Sequence, residues 1–552
     1  MKFLWPAATA GLPMPRFRHL FLLLFTAALM LPVLSLLGAW LPTGGAQAQA
    51  GAILREMAAT VLPDYIVTTL WLCLLVTVGV IAVGLSTAAA VTLFDFPGRR
   101  FFEWALLLPL AMPAYVVAYA YTDFLQYSGP LQGWVRDATG LQGRVFPEIR
   151  NTAGAAWVLT FALYPYVYLL ARTALSERAS HLMEAARLLG APLSRRIREV
   201  ALPLARPAVA AGVALALMET LADFGVASYF GIQTFTAGIY KAWLAMDNRV
   251  AAAQLATLLL AFVALLLWLE HRSRARLRFV SSRLGRQAGA EARPVALCGA
   301  RLALAWAVCG LPLLMGFVAP VLFMFRPLVA EWSVLPWDRF LAWAGNSVRL
   351  GLLAAVLAVA LALLLAYALR RLPDLLTRAV VWLAGLGYAV PGAVIVVGLL
   401  LPVGWVQARW PEAGAAYWVT ATSLGLVWAY LVRFVAVALQ SLQSGYARIP
   451  ASLDDSARML GSGGWGLLSR VHWPLLRRSV VAAVLLVFVD VMKELPATLV
   501  LRPFDSDTLA VVAYQLARDE RLGEAALPCL ALVLVGLIPV LLLSRTLRHK
   551  KG

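Results

Sequence analysis

The sequence predicts an all-α polytopic membrane protein with about 12 transmembrane helices in two parallel six-helix repeats. Of its 552 residues 62% are hydrophobic and only 14% are charged, against roughly 45–50% and 25% in soluble domains. Apolar runs of about 20 residues, long enough to cross a bilayer, recur from end to end. A short motif in the first part of the chain also returns in the second. Helices rather than barrel strands are expected, because the runs lack strict alternation.

Each apolar run is interpreted as one span, with uncertain ends. The predicted spans lie near residues 20–41, 66–93, 101–122, 153–174, 207–230, 250–269, 302–325, 346–369, 379–401, 416–439, 479–501 and 525–544. The first run follows Arg16 and Arg18 and precedes Ala46-Gln47-Ala48, which also suits a signal peptide. It is longer than the 7–15 apolar residues of such peptides, so we expect a retained helix.

The net charge of +19 raises the question of nucleic acid. With the amino terminus assigned to the cytoplasm, most Lys and Arg residues fall on the inner side, as the positive-inside rule requires. The charge therefore indicates a multi-pass membrane protein with both termini cytoplasmic, in contact with lipid and not with nucleic acid. The four Cys and five His residues are dispersed without metal-type spacing, so no metal site is predicted.

The repeat organises the whole chain. Residues 184–190 and the Leu-Pro pair at 202–203 return as residues 455–461 and the Trp-Pro pair at 473–474, all at a shift of 271. Earlier in each half, Thr69 and Pro113 correspond to Ser347 and Pro391 at a shift of 278, and we place the seven-residue difference at 440–450. The predicted units are a first membrane half, 1–270, a cytoplasmic linker, 271–300, with Gly285, Gly289 and Pro294, and a second half, 301–552. A pseudo-twofold axis along the membrane normal should relate the halves.

Residues 180–201 and 451–472, here called the first and second handle, each predict a helix, a glycine stop and a second short helix. Leu182, Ala185, Ala186 and Leu189 form a narrow apolar stripe. Gly190 and its counterpart Gly461 stand where a left-handed C-cap is expected. In the second handle, residues 452–455 fit a capping box. An interfacial amphipathic element is the alternative interpretation.

The motif Glu-Ala-Ala, three residues, Gly, and a distal Leu-Pro resembles the coupling loop of permeases in binding-protein-dependent ABC importers, in duplicate over nearly the whole chain. The resemblance implies a type I importer permease fold, a place in a bacterial inner membrane and two docked ATPase subunits. The residues implied to dock them are Glu184, Ala185, Ala186 and Gly190 for one copy, and Asp455, Ser456, Ala457 and Gly461 for its twin. The second copy departs from the motif with Asp-Ser-Ala, which predicts weaker or asymmetric coupling.

The chain has no G-x-x-x-x-G-K-[ST] loop to hold ATP phosphates, and none of its five lysines follows glycine. It is therefore expected to be a translocation subunit rather than an enzyme. It should bind no cofactor itself, and ATP should be used by a partner subunit. A membrane-embedded enzyme would need His, Ser or Cys at catalytic spacing, which the sequence lacks.

Charged residues lie inside two predicted spans. Glu219 and Asp223 correspond to Asp490 and Glu494 at the shift of 271, each pair on one helix face. Charges at this depth usually face a cavity or a partner, and four carboxylates against Lys493 favour a cation pathway. Pro496 should open the helix beside them. The structural alternative pairs Lys493 with Asp490, and the other carboxylates accept hydrogen bonds or remain protonated.

The strings 218–225 and 493–499 look similar to those of ferric-iron importer permeases with two fused halves. That family implies transport of Fe(III), a periplasmic iron-binding protein and two ATPase copies. Permeases for thiamine, polyamines or phosphonates share parts of the pattern and stay open as alternatives. An ion-driven secondary transporter is a further alternative, although it gives the paired handles no purpose.

Overall fold

The chain folds almost entirely into helices. The structure is a computed structural model that describes residues 15–38, 40, 46–176, 180–281, 295–333 and 335–548. Within these residues the only strands are β1, Phe94–Asp95, and β2, Val295–Ala296, which pair in parallel and join the start of the second half to the first. The predicted fold class, an all-α polytopic membrane protein, is confirmed.

The first half contains thirteen α-helices and several single turns of 3-10 or π type. The helices are α1 Pro15–Gly38, α2 Ala46–Ala59, α3 Leu62–Leu93, α4 Arg99–Ala105, α5 Ala114–Leu125, α6 Pro130–Thr139, α7 Thr152–Ala174, α8 Ser180–Leu188, α9 Leu193–Arg196, α10 Leu202–Ala222, α11 Gly225–Phe230, α12 Phe235–Tyr240 and α13 Arg249–Ser281. Helix α13 continues into the predicted linker, and the linker glycines and Pro294 lie outside the described residues.

The second half follows the same order of long and short helices. Its helices are α14 Ala300–Leu313, α15 Ala319–Ala330, α16 Trp337–Arg371, α17 Leu375–Leu386, α18 Gly392–Arg409, α19 Leu424–Tyr446, α20 Ala451–Met459, α21 Gly464–Gly466, α22 Trp473–Lys493, α23 Pro496–Leu501, α24 Leu509–Arg518 and α25 Leu522–Arg548. The starts of α7 and α19, Thr152 and Leu424, are related by nearly the same shift of 271 residues as the two handles. The seven-residue difference in length between the halves therefore lies in the segments before α7 and α19. Its predicted position at 440–450 is wrong.

The described residues contain nine helices long and apolar enough to cross a membrane, or ten when one bent pair is counted as a span. Three of the twelve predicted spans are not among these nine helices. The apolar part of α1, Leu22–Gly38, is shorter than 18 residues, and the span near 101–122 is bent by 89° between Arg99–Ala111 and Ala114–Thr139. Helix α22 is not among the nine because of its charged residues, Arg477, Arg478, Asp490 and Lys493.

Several predicted spans are broken in mid-course. The chain is extended at Met112 and Val390, immediately before the prolines that cap α5 and α18. The two prolines, which occupy equivalent positions in the repeat, therefore mark interruptions of their spans. Similar breaks separate α10 from α11 and α22 from α23, the second one just before Pro496 as expected.

The two halves use the same packing but are not separate bodies. Helices α3, α7 and α10 pack on one another, as do their counterparts α16, α19 and α22. The first helices cross over: α1 packs on α17 and α18, while α14 and α15 pack on α3 and α5. Movement of one half is therefore coupled to the outer helices of the other.

Close approach in the first triad depends on glycine. A Cβ at Gly212 would lie 2.7 Å from Val167 Cα and 3.0 Å from the Tyr166 carbonyl oxygen, both of them backbone atoms of α7. Small residues permit such contact between membrane helices. The backbone of α7 cannot yield as a flexible side-chain tip could.

We predict that Gly212→Ala destabilises the protein by about 1–3 kcal/mol through overpacking, measured by thermal unfolding in detergent. The matched control is Gly310→Ala, also within a helix, where an added Cβ meets nothing within 4 Å. The control should unfold at or above the wild-type temperature, because alanine favours helix. Equal unfolding temperatures for the two variants would contradict this account of the packing.

Candidate functional site

At the break after α10, a carboxylate accepts hydrogen bonds from the start of the next helix. Asp223 follows the helix in extended conformation (ψ 128°). Its Oδ2 accepts hydrogen bonds from the backbone N–H groups of Val226 and Ala227, each at 3.1 Å. These are groups of the first turn of α11 that no carbonyl of a preceding turn can satisfy, and an acidic side chain is favourable at this helix end.

At the break after α22, a carboxylate does the same. Glu494 is extended (ψ 120°) and its side chain is only 2% exposed. Its Oε1 accepts from the Ala497 N–H at 2.8 Å, and its Oε2 accepts from the Thr498 N–H at 2.9 Å and the Thr498 hydroxyl at 2.6 Å. Asp223 and Glu494 thus do what the structural alternative proposed, since both are hydrogen-bond acceptors for backbone.

A cavity of about 190 Å³ lies between the halves at these two breaks. All six predicted pathway residues line it: Glu219, Asp223, Asp490, Lys493, Glu494 and Pro496. The structure therefore brings together charges from equivalent positions of the two halves. That solute passes through this cavity stays a prediction.

Hydrogen bonds across the cavity join the halves. The Tyr388 hydroxyl of the second half donates to Glu219 Oε1 of the first at 2.7 Å. The Lys493 ammonium donates to the Leu110 carbonyl oxygen of the first half at 2.8 Å. Lys493 therefore makes a contact between the halves in addition to lying near Asp490. Of the four carboxylates, only Glu219 and Asp490 are not used as helix caps.

Arg433 is a cavity residue that the sequence reasoning missed. It lies on α19 with 11% of its side chain exposed, and its Nη1 is 3.7 Å from Glu494 Oε1. Its guanidinium lies 5.9 Å from the centre of the Tyr388 ring and 5.5 Å from that of Phe434. A single arginine within the apolar residues 424–439 was a visible signal, by the rule that singled out the carboxylates. The cavity therefore holds two basic side chains, not one, which weakens the predicted bias toward cations.

Among the described residues, no three His, Cys, Asp or Glu side chains come together as metal ligands. The cavity carboxylates are therefore not arranged as a resident metal centre. A cation could meet them only one or two at a time, as suits a solute in passage.

The handles have the predicted backbone. Gly190 and Gly461 have φ of 77° and 78°, the left-handed conformation expected of a C-cap. In the first handle the Ala191 N–H donates to the Ala186 carbonyl at 3.0 Å, and in the second the Ser462 N–H donates to that of Ala457, also at 3.0 Å. Both helices therefore end in the same Schellman-type turn.

The predicted docking residues differ in accessibility. Glu184 and Asp455 are accessible and pair with an arginine three residues on, at 3.5 and 3.3 Å. Ala185 and Ser456 are exposed and Ala186 is half-buried, while Ala457 is 9% exposed and packs inward. Ala457 is therefore a packing residue, and the surface available for docking lies on its neighbours.

Each handle also presents a bare apolar tip next to its glycine. Leu188 and Leu189 are 82% and 88% exposed, and Met459 and Leu460 are 90% and 86% exposed. The two pairs occupy equivalent positions in the repeat, so both copies expose the same feature. Large apolar side chains left this open mark interaction sites.

The predicted capping box of the second handle is wrong. Helix α20 begins after Pro450, so Ser452 lies within its first turn and makes no cap hydrogen bond to Asp455. Asp454 is buried and pairs with Arg370, which lies outside the handle. Residues 452–455 match the capping-box pattern, but Pro450 is the N-cap residue, so the helix starts at Ala451, before Ser452.

The fold, the broken spans and the paired handles define a multi-pass all-α membrane protein. Residues 81–279 match the family described as the binding-protein-dependent transport system inner membrane component. The matched segment includes the first handle, Glu219 and Asp223. That part of the chain therefore resembles a component of an inner-membrane transport system.

Curated relatives extend the similarity over both halves. The chain is 26% identical to the Fe(3+)-transport system permease protein FbpB 2 of Haemophilus influenzae, over 86% of this chain and 88% of that protein. It is 24% identical to a probable ABC transporter permease protein, y4fN, of Sinorhizobium fredii, over 94% of each. It is also 33% identical to the sulfate transport system permease protein CysW of Escherichia coli, but over only 26% of this chain and 48% of that protein.

Proposed function

We propose that this chain is the fused permease subunit of an ABC importer for Fe(III). The observation that carries the importer assignment is the pair of handles, alike in their left-handed glycine and exposed apolar tip. Two handles with the same backbone on one chain suit two copies of one ATPase subunit, each of which would bind one handle in a groove. A periplasmic binding protein would deliver solute on the opposite face, and both chain termini would be cytoplasmic.

Iron is supported by the relative named for Fe(3+) transport, because its similarity covers both halves. The sulfate permease aligns with about a quarter of the chain. The excess of carboxylates over basic groups in the cavity also suits a cation better than a divalent anion. Thiamine, polyamine and phosphonate remain the alternative solutes.

In the proposed transport step, ATP-driven closure of the ATPase dimer moves the two handles, and the halves rock to open the cavity to one side at a time. The bonds from Tyr388 to Glu219 and from Lys493 to the Leu110 carbonyl join the halves across the cavity. They would be exchanged when the halves move apart. Their donors and acceptors would then face solute or water.

The first test is copurification and reconstitution. The tagged chain should bring down an ATPase subunit, and iron uptake into proteoliposomes should stop when ATP is withheld. Uptake driven by an ion gradient alone, with no ATPase present, would instead establish the secondary transporter. A complex that transports sulfate or thiamine and not iron would keep the importer assignment and overturn the solute.

We predict that Gly190→Leu and Gly461→Leu each reduce uptake per ATP hydrolysed several-fold. A side chain in the left-handed conformation costs about 1–2 kcal/mol, which distorts the turn that sets the tip. The matched control is Gly463→Leu, in the same handle, where φ is −71° and an added Cβ also meets nothing within 4 Å. Equal coupling in Gly461→Leu and Gly463→Leu would count against the role of the turn.

We also predict that Glu219→Gln combined with Asp490→Asn lowers iron uptake at least tenfold, because it removes the two cavity carboxylates not used as helix caps. Uptake of ⁵⁵Fe(III) in cells measures this. The control pair, Asp137→Asn with Glu412→Gln, removes two exposed carboxylates outside the cavity and should leave uptake unchanged. Wild-type uptake in the cavity variant would show that these carboxylates are not part of the pathway.

A further inference from the structure

The second handle is attached to its membrane half through a buried carboxylate. Asp454 lies on α20, one residue before the docking motif, and is 4% exposed. Its Oδ2 accepts from Arg370 Nε at 2.8 Å, and its Oδ1 is 3.0 Å from His472 Nε2. Three separate elements, the handle helix, the end of α16 and the turn before α22, meet at this one side chain.

Further contacts hold the two partners of Asp454 in place. Arg370 Nη2 donates to the Ile449 carbonyl at 2.9 Å, directly before the handle helix. His472 is fully buried, and its ring packs edge-on against Tyr446 and Tyr367 at 5.2 and 5.7 Å between centroids. The Tyr367 hydroxyl in turn donates to the Gly464 carbonyl. The start and the middle of the second handle are thus hydrogen-bonded to α16.

The pKa of Asp454 agrees with an ionised side chain. Burial alone would raise this pKa, but the hydrogen bonds from Arg370 and His472 outweigh it and hold the pKa below the usual value of aspartate. The carboxylate is therefore charged at neutral pH, as the pairing with Arg370 requires.

Among the described residues, the first handle has no such ion pair. At the positions equivalent to Asp454, His472 and Arg370 the first half has Met183, Ala201 and Thr92. Met183 and Ala201 are 5% and 1% exposed, so the described contacts of the first handle at this point are apolar. Acid, base and histidine are exchanged together, which is expected if they act as one unit.

We infer that Asp454 is a positioning residue that fixes the second handle to α16, so that the two handles follow their ATPase subunits with unequal stiffness. A hydrogen-bonded ion pair defines one geometry, whereas apolar packing is non-directional. A handle that holds its angle transmits displacement to α22 and the cavity, and a handle that pivots absorbs part of it. This inference rests on the proposed function for its consequence, but its structural content concerns this chain alone.

The test measures handle motion directly. Spin labels are placed at Leu460 or, as the internal control, at Leu189, after Cys298, the exposed native cysteine, is changed to serine. In the purified full chain in nanodiscs, Asp454→Asn should shorten the rotational correlation time at Leu460 at least twofold and leave that at Leu189 unchanged. Arg370→Gln should have the same effect, and the double variant should add little, because both changes break one pair.

An unchanged spectrum at Leu460 in both single variants would overturn the inference. If Asp454→Asn does not fold, Arg370→Gln alone decides. Uptake per ATP hydrolysed in the reconstituted complex should also fall at least threefold in either variant, while ATP hydrolysis continues. Because the label experiment needs no ATPase, failure of the proposed function would appear in copurification and leave this result standing.

Discussion

The need to satisfy backbone groups at a helix break inside lipid governs the centre of this protein. Where a membrane helix breaks and restarts, the first N–H groups of the new segment have no water to accept their hydrogen bonds. Here Asp223 and Glu494 supply acceptors at equivalent breaks, so each carboxylate has a structural role in the hydrogen bonding of the backbone. Two N–H donors at each break are therefore paired within the chain. The same requirement explains why acidic residues persist at this depth in both halves.

This double use of carboxylates changes how the cavity charge is interpreted. Two of the four acidic side chains are fixed by helix N–H groups, and Arg433 approaches one of them. The two carboxylates not used as helix caps are those of Glu219 and Asp490. Glu219 accepts a hydrogen bond from Tyr388. The cavity thus presents a small acidic excess at the interface of the halves, where rocking would rearrange it. A resident metal site would need converging ligands, and strong binding would hinder release.

Local features of this structure were predictable, and the contacts between distant segments were not. Spacing predicted the glycine stops at Gly190 and Gly461, the proline breaks and the depth of the membrane charges, because each depends on a few neighbouring residues. Arg433 and Asp454 were missed for one reason: their partners lie on other helices, far away along the chain, and no periodicity specifies which helices meet. The false capping box shows the opposite error. A correct local pattern at residues 452–455 was overridden because the helix starts after Pro450, and Asp455 pairs with Arg458 instead of capping.

The charges also separate the halves in a way that the repeat conceals. The acidic residues of the cavity occur in both halves, but the basic residues of the second half have no basic counterpart in the first. Lys493 corresponds to Ala222 and Arg370 to Thr92, and the positions on α7 equivalent to Arg433 are Phe161 and Ala162. A fused chain permits this, since each half can diverge while the interface between them is kept. In the second half, Arg433 on α19 approaches Glu494 after α22, and Arg370 ties the handle to α16. The equivalent positions of the first half are not basic, and apolar contacts permit sliding and pivoting where an ion pair does not. On the proposed function, two handles of equal shape would therefore act on a cavity whose two walls respond differently.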